Sequence, residues 1–424
     1  MSNTVKRRVV ITGMGAISPI GNNCDELWQS ILDGKCGISY ITAFNVENQR
    51  VKLAAEVKDI DMDAYFDKRE LKFNDRFTKF ARIAAKQAFQ DSGLAETADD
   101  HGKLPDSDRM GVILSSGIGG IASIENAEKV LEQRGPGKVS PYFIPMCLIN
   151  LAAGSVAIDL GANAHCSSIV TACAASTNAI GEAFRKIRDG YADIMVSGGS
   201  EASITPLAIA GFASMRALNE GTDPMRASIP FDKERGGFVM GEGAGVIILE
   251  ELEHARNRGA KIHGEIVGYG DSCDAFHITA PIDDGSGGAL AMENALKDGG
   301  IAPEQISYIN AHGTGTPMND KIETLAIKKA FGDHAENLTV SSTKSNTGHL
   351  LGASGAIEAI ITILSLKEGF VPPTVNHRIY DDECDLNIVA NKGYEQDMTY
   401  AMSNSLGFGG HNGSLVFKRW EEEK

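Results

Sequence analysis

The chain has no excess of positive charge. Its 40 Lys and Arg stand against 56 Asp and Glu, a formal net charge of −16 over 424 residues. General binding to nucleic acid or to an anionic membrane surface needs the opposite sign, so neither is expected. Long hydrophobic runs are missing too, since no apolar stretch reaches the length of a membrane span. The basic start, Met1–Arg8, leads into VVITGMGAI, which is too short and too interrupted by glycine for a secretory signal. The cytoplasm is the expected location. Cysteine pairs are absent: Cys24, Cys36, Cys147, Cys166, Cys173, Cys273 and Cys384 are scattered, odd in number and free of any CxxC, which reads as free thiols. GxxxxGK[ST] and HExxH do not occur, and the GTG at Gly313–Gly315 is not a GxGxxG opening a helix. No cofactor and no metal are expected, and a thiol-based reaction fits better.

What is present reads as an ordinary globular protein, 42% hydrophobic and 23% charged, long enough for two domains or two fused halves. The 47 glycines fall in short clusters between apolar runs, as at strand ends. Strand-like and helix-like segments alternate, the signature of an α/β fold with buried sheets. Strands are expected at Arg8–Thr12, Met110–Ser115, Ser168–Thr171, Ile194–Ser197, Gly245–Leu249, Ile262–Tyr269, Tyr308–Asn310, Thr339–Ser342, Tyr400–Asn404 and Ser414–Lys418. Helices are expected at Asp75–Asp91, Thr177–Asp189, Gly288–Asp298, Ile322–Phe331 and Ser354–Lys367. The charged ELEHARNRGAK at 251–261 marks a break, which divides the chain into residues 1–260 and 261–424. The two parts look loosely duplicated: RRVVITGMG has a counterpart in KIHGEIVGYG, and ADIMVSGGSEAS in MTYAMSNSLGFGG.

The run SSIVTACAASTNAIGEAFRKIRDG is the most informative. Ser168–Ala172 reads as a buried strand, and Ile180, Ala183, Phe184 and Ile187 form one helical stripe ended by Gly190. Cys173 then lies where a strand passes into a helix N-terminus, a place that lowers a thiol's pKa and offers amides to an oxyanion. On these residues alone, a nucleophile and a buried structural cysteine fit equally well. His312 in INAHGTGTPMND and His349 in SSTKSNTGHLLGASGAIEA sit in matching glycine-rich turns after apolar strands. Such turns are where α/β proteins keep their sites. Phe408, flanked by Gly407, Gly409 and Gly410, reads either as a hairpin filler or as a mobile gate.

Together VTACAAS, NAHGTGTPMND, STKSNTGHLLGASG and SNSLGFGGHN resemble the β-ketoacyl-[acyl carrier protein] synthases, and within them the type II elongating enzymes of bacterial fatty-acid synthesis. The similarity runs nearly end to end. It implies a thiolase fold, two similar αβαβα halves forming a five-layered core, a homodimer, and decarboxylative condensation of an acyl chain with malonyl-acyl carrier protein. It implies that Cys173 is the acylated nucleophile, that His312 and His349 stabilise the enolate left by CO2, and that Lys344 and Glu358 support them. The N–H groups of Cys173 and Phe408 would form the oxyanion hole. Ile118, Phe143, Phe212, Thr279, Thr314 and Thr316 would contact substrate. A thiolase would carry a second reactive cysteine in the 405–412 turn, an initiating enzyme would have Asn in place of His349, and a chain-length factor would lack Cys173.

Some positions depart from the family. Ala175-Ser176 stands where Thr-Gly is usual, Asn346 replaces a common Met, and Ser354 and Ala356 replace Ala and Gly. The Lys-Ser-Asn form is similar to polyketide ketosynthases, so the ketosynthase subunit of a type II polyketide system, paired with a chain-length factor, stays open as the alternative. Between Phe66 and Lys86 seven basic residues face three acidic ones and are expected on one face of a helix. By resemblance, Lys68, Arg69, Lys72 and Arg216 would dock the acidic carrier protein, with Phe73 standing where another basic residue is common.

Overall fold

The computed structural model describes residues 6–97 and 104–422; Met1–Val5 of the basic start lie outside the described residues. The strands of its main sheet are β1 (Val9–Ile17), β2 (Met110–Ser115), β3 (Cys166–Ser167), β4 (Ile194–Glu201), β5 (Gly243–Glu251), β6 (Gly264–Cys273), β7 (Ile306–Asn310), β8 (Thr339–Ser341), β9 (Asn387–Ile388), β10 (Tyr400–Gly407) and β11 (His411–Lys418). All nine residues of β1 and all eight of β4 are buried, as strands covered on both faces must be.

The strand order is β9-β8-β7-β10-β11-β6-β1-β5-β4-β2-β3. From the antiparallel β1–β6 seam outward, each side first has two antiparallel pairings and then parallel ones, two on the β3 side and three on the β9 side. β1 therefore matches β6 and β4 matches β10, the correspondences read from RRVVITGMG and ADIMVSGGSEAS.

Helices α1 (Arg76–Asp91) and α2 (Asn150–Leu160) cover the strands of the first half. Helices α4 (Ser286–Gly299) and α5 (Pro317–Phe331) cover those of the second. Between them lie α3 (Ala175–Arg188) and α6 (Ser354–Glu368), each touching strands of both halves and each other. This gives the five layers of the thiolase fold. The sequence of α6 explains its place: SGAIEAIITILSL is apolar on every side, and every residue from Ser354 to Leu366 is buried.

Two expectations are corrected. Ser168–Thr171 is not a strand: pairing stops at Ser167, Val170 is 51% exposed, and Ala172 has φ +49. Ile169 and Val170 have strand propensity, but a left-handed residue cannot continue a ladder, and the chain must bend here to enter α3. The basic stretch after Phe66 is not one helix either. A four-residue helix, Glu70–Phe73, ends at extended Asn74, and Asp75 caps α1 by accepting from the N–H of Phe77. Among the described residues, no helix is long and apolar enough to cross a membrane.

Candidate active site

Each half leads into its central helix through the same distorted turn. Ala172 and Leu351 both have φ +49, each starts a three-residue 3-10 turn, and α3 or α6 follows at once. Such strain persists only where the surroundings impose it. Here it aims two helix N-termini at one point. Cys173 lies in the first turn and His349 just before the second. Ser176 Oγ accepts the N–H of Ala356 at 3.0 Å, so the residue departing from the usual Gly ties the two helix starts together.

His312 follows β7 on a turn whose backbone is fixed by a buried carboxylate. The N–H groups of His312 and Gly313 both donate to Glu323, each at 2.7 Å. His349 is clamped through its backbone, donating to Val239 O at 2.7 Å and accepting from Gly241 N–H at 2.8 Å. The two imidazoles meet edge to face with centroids 5.3 Å apart. Cys173 Sγ and one ring nitrogen of each histidine all lie within 4.8 Å of one another. The structure thus brings the three residues together from segments 139 and 37 positions apart in sequence.

The electrostatics correct the expected thiolate. Burial pushes the Cys173 thiol up to about 12, although the Lys344 ammonium and the N–H groups of Phe408 and Cys173 pull it down. Desolvation outweighs the helix N-terminus because the cysteine is buried. Burial also holds His312 and His349 well below the ordinary imidazole range, helped by Lys344. The resting site is a neutral thiol beside two neutral imidazoles, each able to accept or donate a proton.

Beneath them Lys344, 1% exposed, pairs closely with Glu358. Burial raises Glu358 to about 7 against the pull of Lys344. Glu323 is raised to about 7 in the same way. A further buried carboxylate, Glu201, accepts from Ser116 Oγ and from the N–H groups of Gly117 and Gly352 at 2.7 to 3.0 Å, joining the turn that carries Ile118 to the turn before α6. Glu201 and Glu323 escape sequence reasoning. Neither stands in a recognisable pair, and only the buried amides they satisfy show their purpose.

The loop that carries Phe408 lies against the site. Phe408 sits 6.4 Å from Phe212, which contacts Phe238 at 5.6 Å, which reaches His349 at 5.1 Å (ring centroids). Gly409 donates to Ile278 O at 2.7 Å, Asp274 N–H donates to Gly410 O at 2.9 Å, and Asn412 Nδ2 donates to Asp274 Oδ1 at 2.7 Å. A Cβ at Gly407 would stand 2.7 Å from Thr171 O and 3.3 Å from Cys173 N. We expect Gly407→Ala to displace the loop from the thiol and lower acyl transfer about a hundredfold, the cost of one lost oxyanion donor. A rate within threefold of the parent, measured by acyl-enzyme formation, would show that the loop need not approach so closely.

A cavity of about 800 Å³ opens on this group and is lined by Cys173, His312, His349, Phe408, Phe212, Thr279, Thr314 and Thr316, with Arg216 among its lining residues. Thr314 and Thr316 place their hydroxyls 3.0 Å apart. Ile118 stays out of the cavity lining but belongs to the apolar cluster that includes Phe212 and Phe238. Phe143 is not brought to the cavity of its own chain; it opens the short helix Phe143–Cys147. Lys68, Arg69, Lys72 and Arg216 are exposed. Of the other basic residues expected beside them, Arg76 is bound to Glu242 and Arg82 to Glu70 and Asp159. Phe73 stacks on Tyr142 with centroids 3.7 Å apart, under the guanidinium of Arg69.

A thiolase-type fold that joins a buried cysteine, two neutral histidines and converging amides over a substrate-sized cavity defines an acyl-transferring condensing enzyme. The family models "Beta-ketoacyl synthase, N-terminal domain" and "Beta-ketoacyl synthase, C-terminal domain" match residues 6–255 and 263–378. The chain belongs to the β-ketoacyl synthase family. It is 51% identical to 3-oxoacyl-[acyl-carrier-protein] synthase 2 of Synechocystis sp., over 99% of this chain and 100% of that protein. It is also 51% identical to the protein of that name from Staphylococcus aureus, over 98% and 99%. Among solved structures it resembles the ketosynthase of a type II polyketide system in complex with its acyl carrier protein and bound to a hexaketide. That likeness has a TM-score of 0.89 at 34% identity, over 98% of this chain and 100% of that one.

Proposed function

We propose that the protein holds an acyl chain as a thioester on Cys173 and condenses it with malonyl-acyl carrier protein, giving a β-ketoacyl-acyl carrier protein in fatty-acid elongation. The observation that carries this reading is the meeting of the Cys173 thiol, two neutral imidazoles and the Phe408 amide at the end of one cavity. In the first step Cys173 attacks the acyl thioester. The thiol proton passes to the leaving thiol of the carrier, and the oxyanion rests on the amides of Cys173 and Phe408. In the second step the malonyl thioester loses CO2, and the electron pair of that C–C bond becomes an enolate held by hydrogen bonds from His312 and His349. Its carbon attacks the acyl thioester, and the Cys173 thiolate leaves and regains a proton from solvent. Lys344 and Glu358 hold the charge balance beneath the histidines.

The fatty-acid reading is favoured over the polyketide one because the 51% identity to two elongation-type synthases exceeds the 34% to the polyketide ketosynthase. Thr314, Thr316 and Thr279 suit the amides of a phosphopantetheine arm, and Ile118, behind Phe212, sets the depth available to the acyl chain. Residues 1–260 would form the half that supplies the nucleophile and 261–424 the half that supplies the histidines. A second copy is expected on the face carrying Ile144, Leu148, Ile158 and Val170, which are 45 to 82% exposed, beside the unpaired side of β3. Phe143, which opens the helix bearing Ile144, would contact substrate only through such a dimer. The expected setting is the cytoplasm.

The carrier is expected to dock on Lys68, Arg69, Lys72 and Arg216, which have no ion-pair partner among the described residues and offset a chain of −16. Reversing the charge of Lys72 and Arg216 together should raise KM for the acyl carrier substrate about tenfold and flatten its salt dependence, while turnover of a small acyl thioester stays near normal. Equal impairment of both substrates would place the patch in folding or assembly instead.

A further inference from the structure

We infer that Ser354, a residue with no part in the reaction as described, is a positioning residue that fixes the tautomer of His349. The proposal rests on the assignment of His349 to decarboxylation. The turn Leu351–Ala353 folds the chain back so that the first residue of α6 faces the imidazole five positions earlier. Ser354 Oγ lies 2.9 Å from His349 Nδ1, and both residues are 2% exposed. No other hydrogen bond to that hydroxyl occurs among the described side-chain contacts. A buried hydroxyl needs an acceptor for its proton, and Nδ1 is the one within reach. His349 is neutral because burial and Lys344 hold it below the imidazole range, so the ring has a single proton to place.

If Ser354 donates to Nδ1, that proton must sit on Nε2, the ring nitrogen on the far side from Ser354. His349 then presents an N–H donor to a thioester carbonyl in the cavity that it lines. The opposite tautomer would turn the lone pair of Nε2 toward the enolate oxygen and repel it. His312 has no such device: its Nδ1 is buried without a hydrogen-bond partner among the described residues. The backbone clamp on His349 from Val239 and Gly241 fixes where the ring hangs but not which nitrogen is protonated. That choice falls to the serine, which stands where the family commonly has Ala.

The test uses the full-length protein labelled with 15N at the histidine ring. The signal of His349 is assigned by its loss in His349→Ala. The expected spectrum has Nδ1 as the unprotonated and Nε2 as the protonated nitrogen, with exchange between tautomers appearing in Ser354→Ala. Ser354→Ala should also lower CO2 release from malonyl carrier protein about fivefold, the worth of one hydrogen bond, with KM unchanged and acylation of Cys173 unaffected. Ser354→Thr, which keeps the hydroxyl, should restore both the spectrum and the rate. A wild-type ring protonated at Nδ1, or an unchanged spectrum and rate in Ser354→Ala, overturns the proposal. The wild-type spectrum decides even if the alanine variant fails to fold. A correct tautomer in a protein that releases no CO2 would instead refute the assigned reaction.

Discussion

Cys173→Ala should abolish condensation, with a fall of at least about three orders of magnitude, because the thioester has nowhere else to form. The other cysteines do not line the catalytic cavity, and burial raises the thiols of Cys24 and Cys384 as well, Cys384 to about 12. The measurement is intact-protein mass after incubation with acyl carrier substrate: one acyl adduct on the parent and none on the variant. An adduct that persists in Cys173→Ala, or maps to another cysteine, would overturn the assignment. The neutral resting thiol adds a sign to the expectation. With the thiol pushed up to about 12, the thiolate fraction should rise about tenfold per pH unit between about pH 6 and 9. Alkylation of Cys173 should climb over that whole range. A plateau near neutrality would mean that the helix N-terminus outweighs burial after all.

The second large effect is expected at the histidines. In a Cys173→Gln background, which mimics the acylated enzyme, CO2 release from malonyl carrier protein should continue. Adding His312→Ala or His349→Ala should lower it about 10²–10³-fold, the usual cost of removing one donor to a developing oxyanion. Because burial keeps both rings neutral, the role proposed for them is that of neutral hydrogen-bond donors rather than cations. His349→Gln, a neutral donor of similar reach, should therefore recover part of the rate that His349→Ala loses. Full CO2 release from either alanine variant would assign the histidines elsewhere, and a glutamine variant no better than alanine would point to a charged or proton-transferring role.

The sequence was most legible where one local signal dominated. β2 falls where its apolar run ends, at Met110–Ser115, and α6 starts at Ser354 as its continuous apolar pattern requires. Legibility failed where tertiary demands overrode local preference. Ile169-Val170-Thr171 favours extended backbone, yet the chain spends this segment on the bend into α3. The basic residues after Phe66 fit one helical face, yet Lys68, Arg69 and Lys72 lie outside the expected Asp75–Asp91 helix, which Asp75 caps by accepting from Phe77 N–H while Ser123 also donates to it. Ser123, which holds the other oxygen of that capping carboxylate, is 48 residues away.

By itself the sequence determined the chemical inventory: a cysteine before a helical stripe, two histidines in glycine-rich turns, a glycine-flanked phenylalanine, and two halves of similar pattern. These follow from composition and period, which are local properties of the chain. Only the tertiary structure decided the protonation of that inventory and the residues that hold it. Desolvation depends on everything packed around a group, so the same Cys173 that a helix N-terminus would ionise is a neutral thiol in its enclosed site. Glu201, Glu323 and Ser354 acquire their roles from amides and a ring nitrogen brought to them by the fold, and no spacing along the chain announces such a meeting.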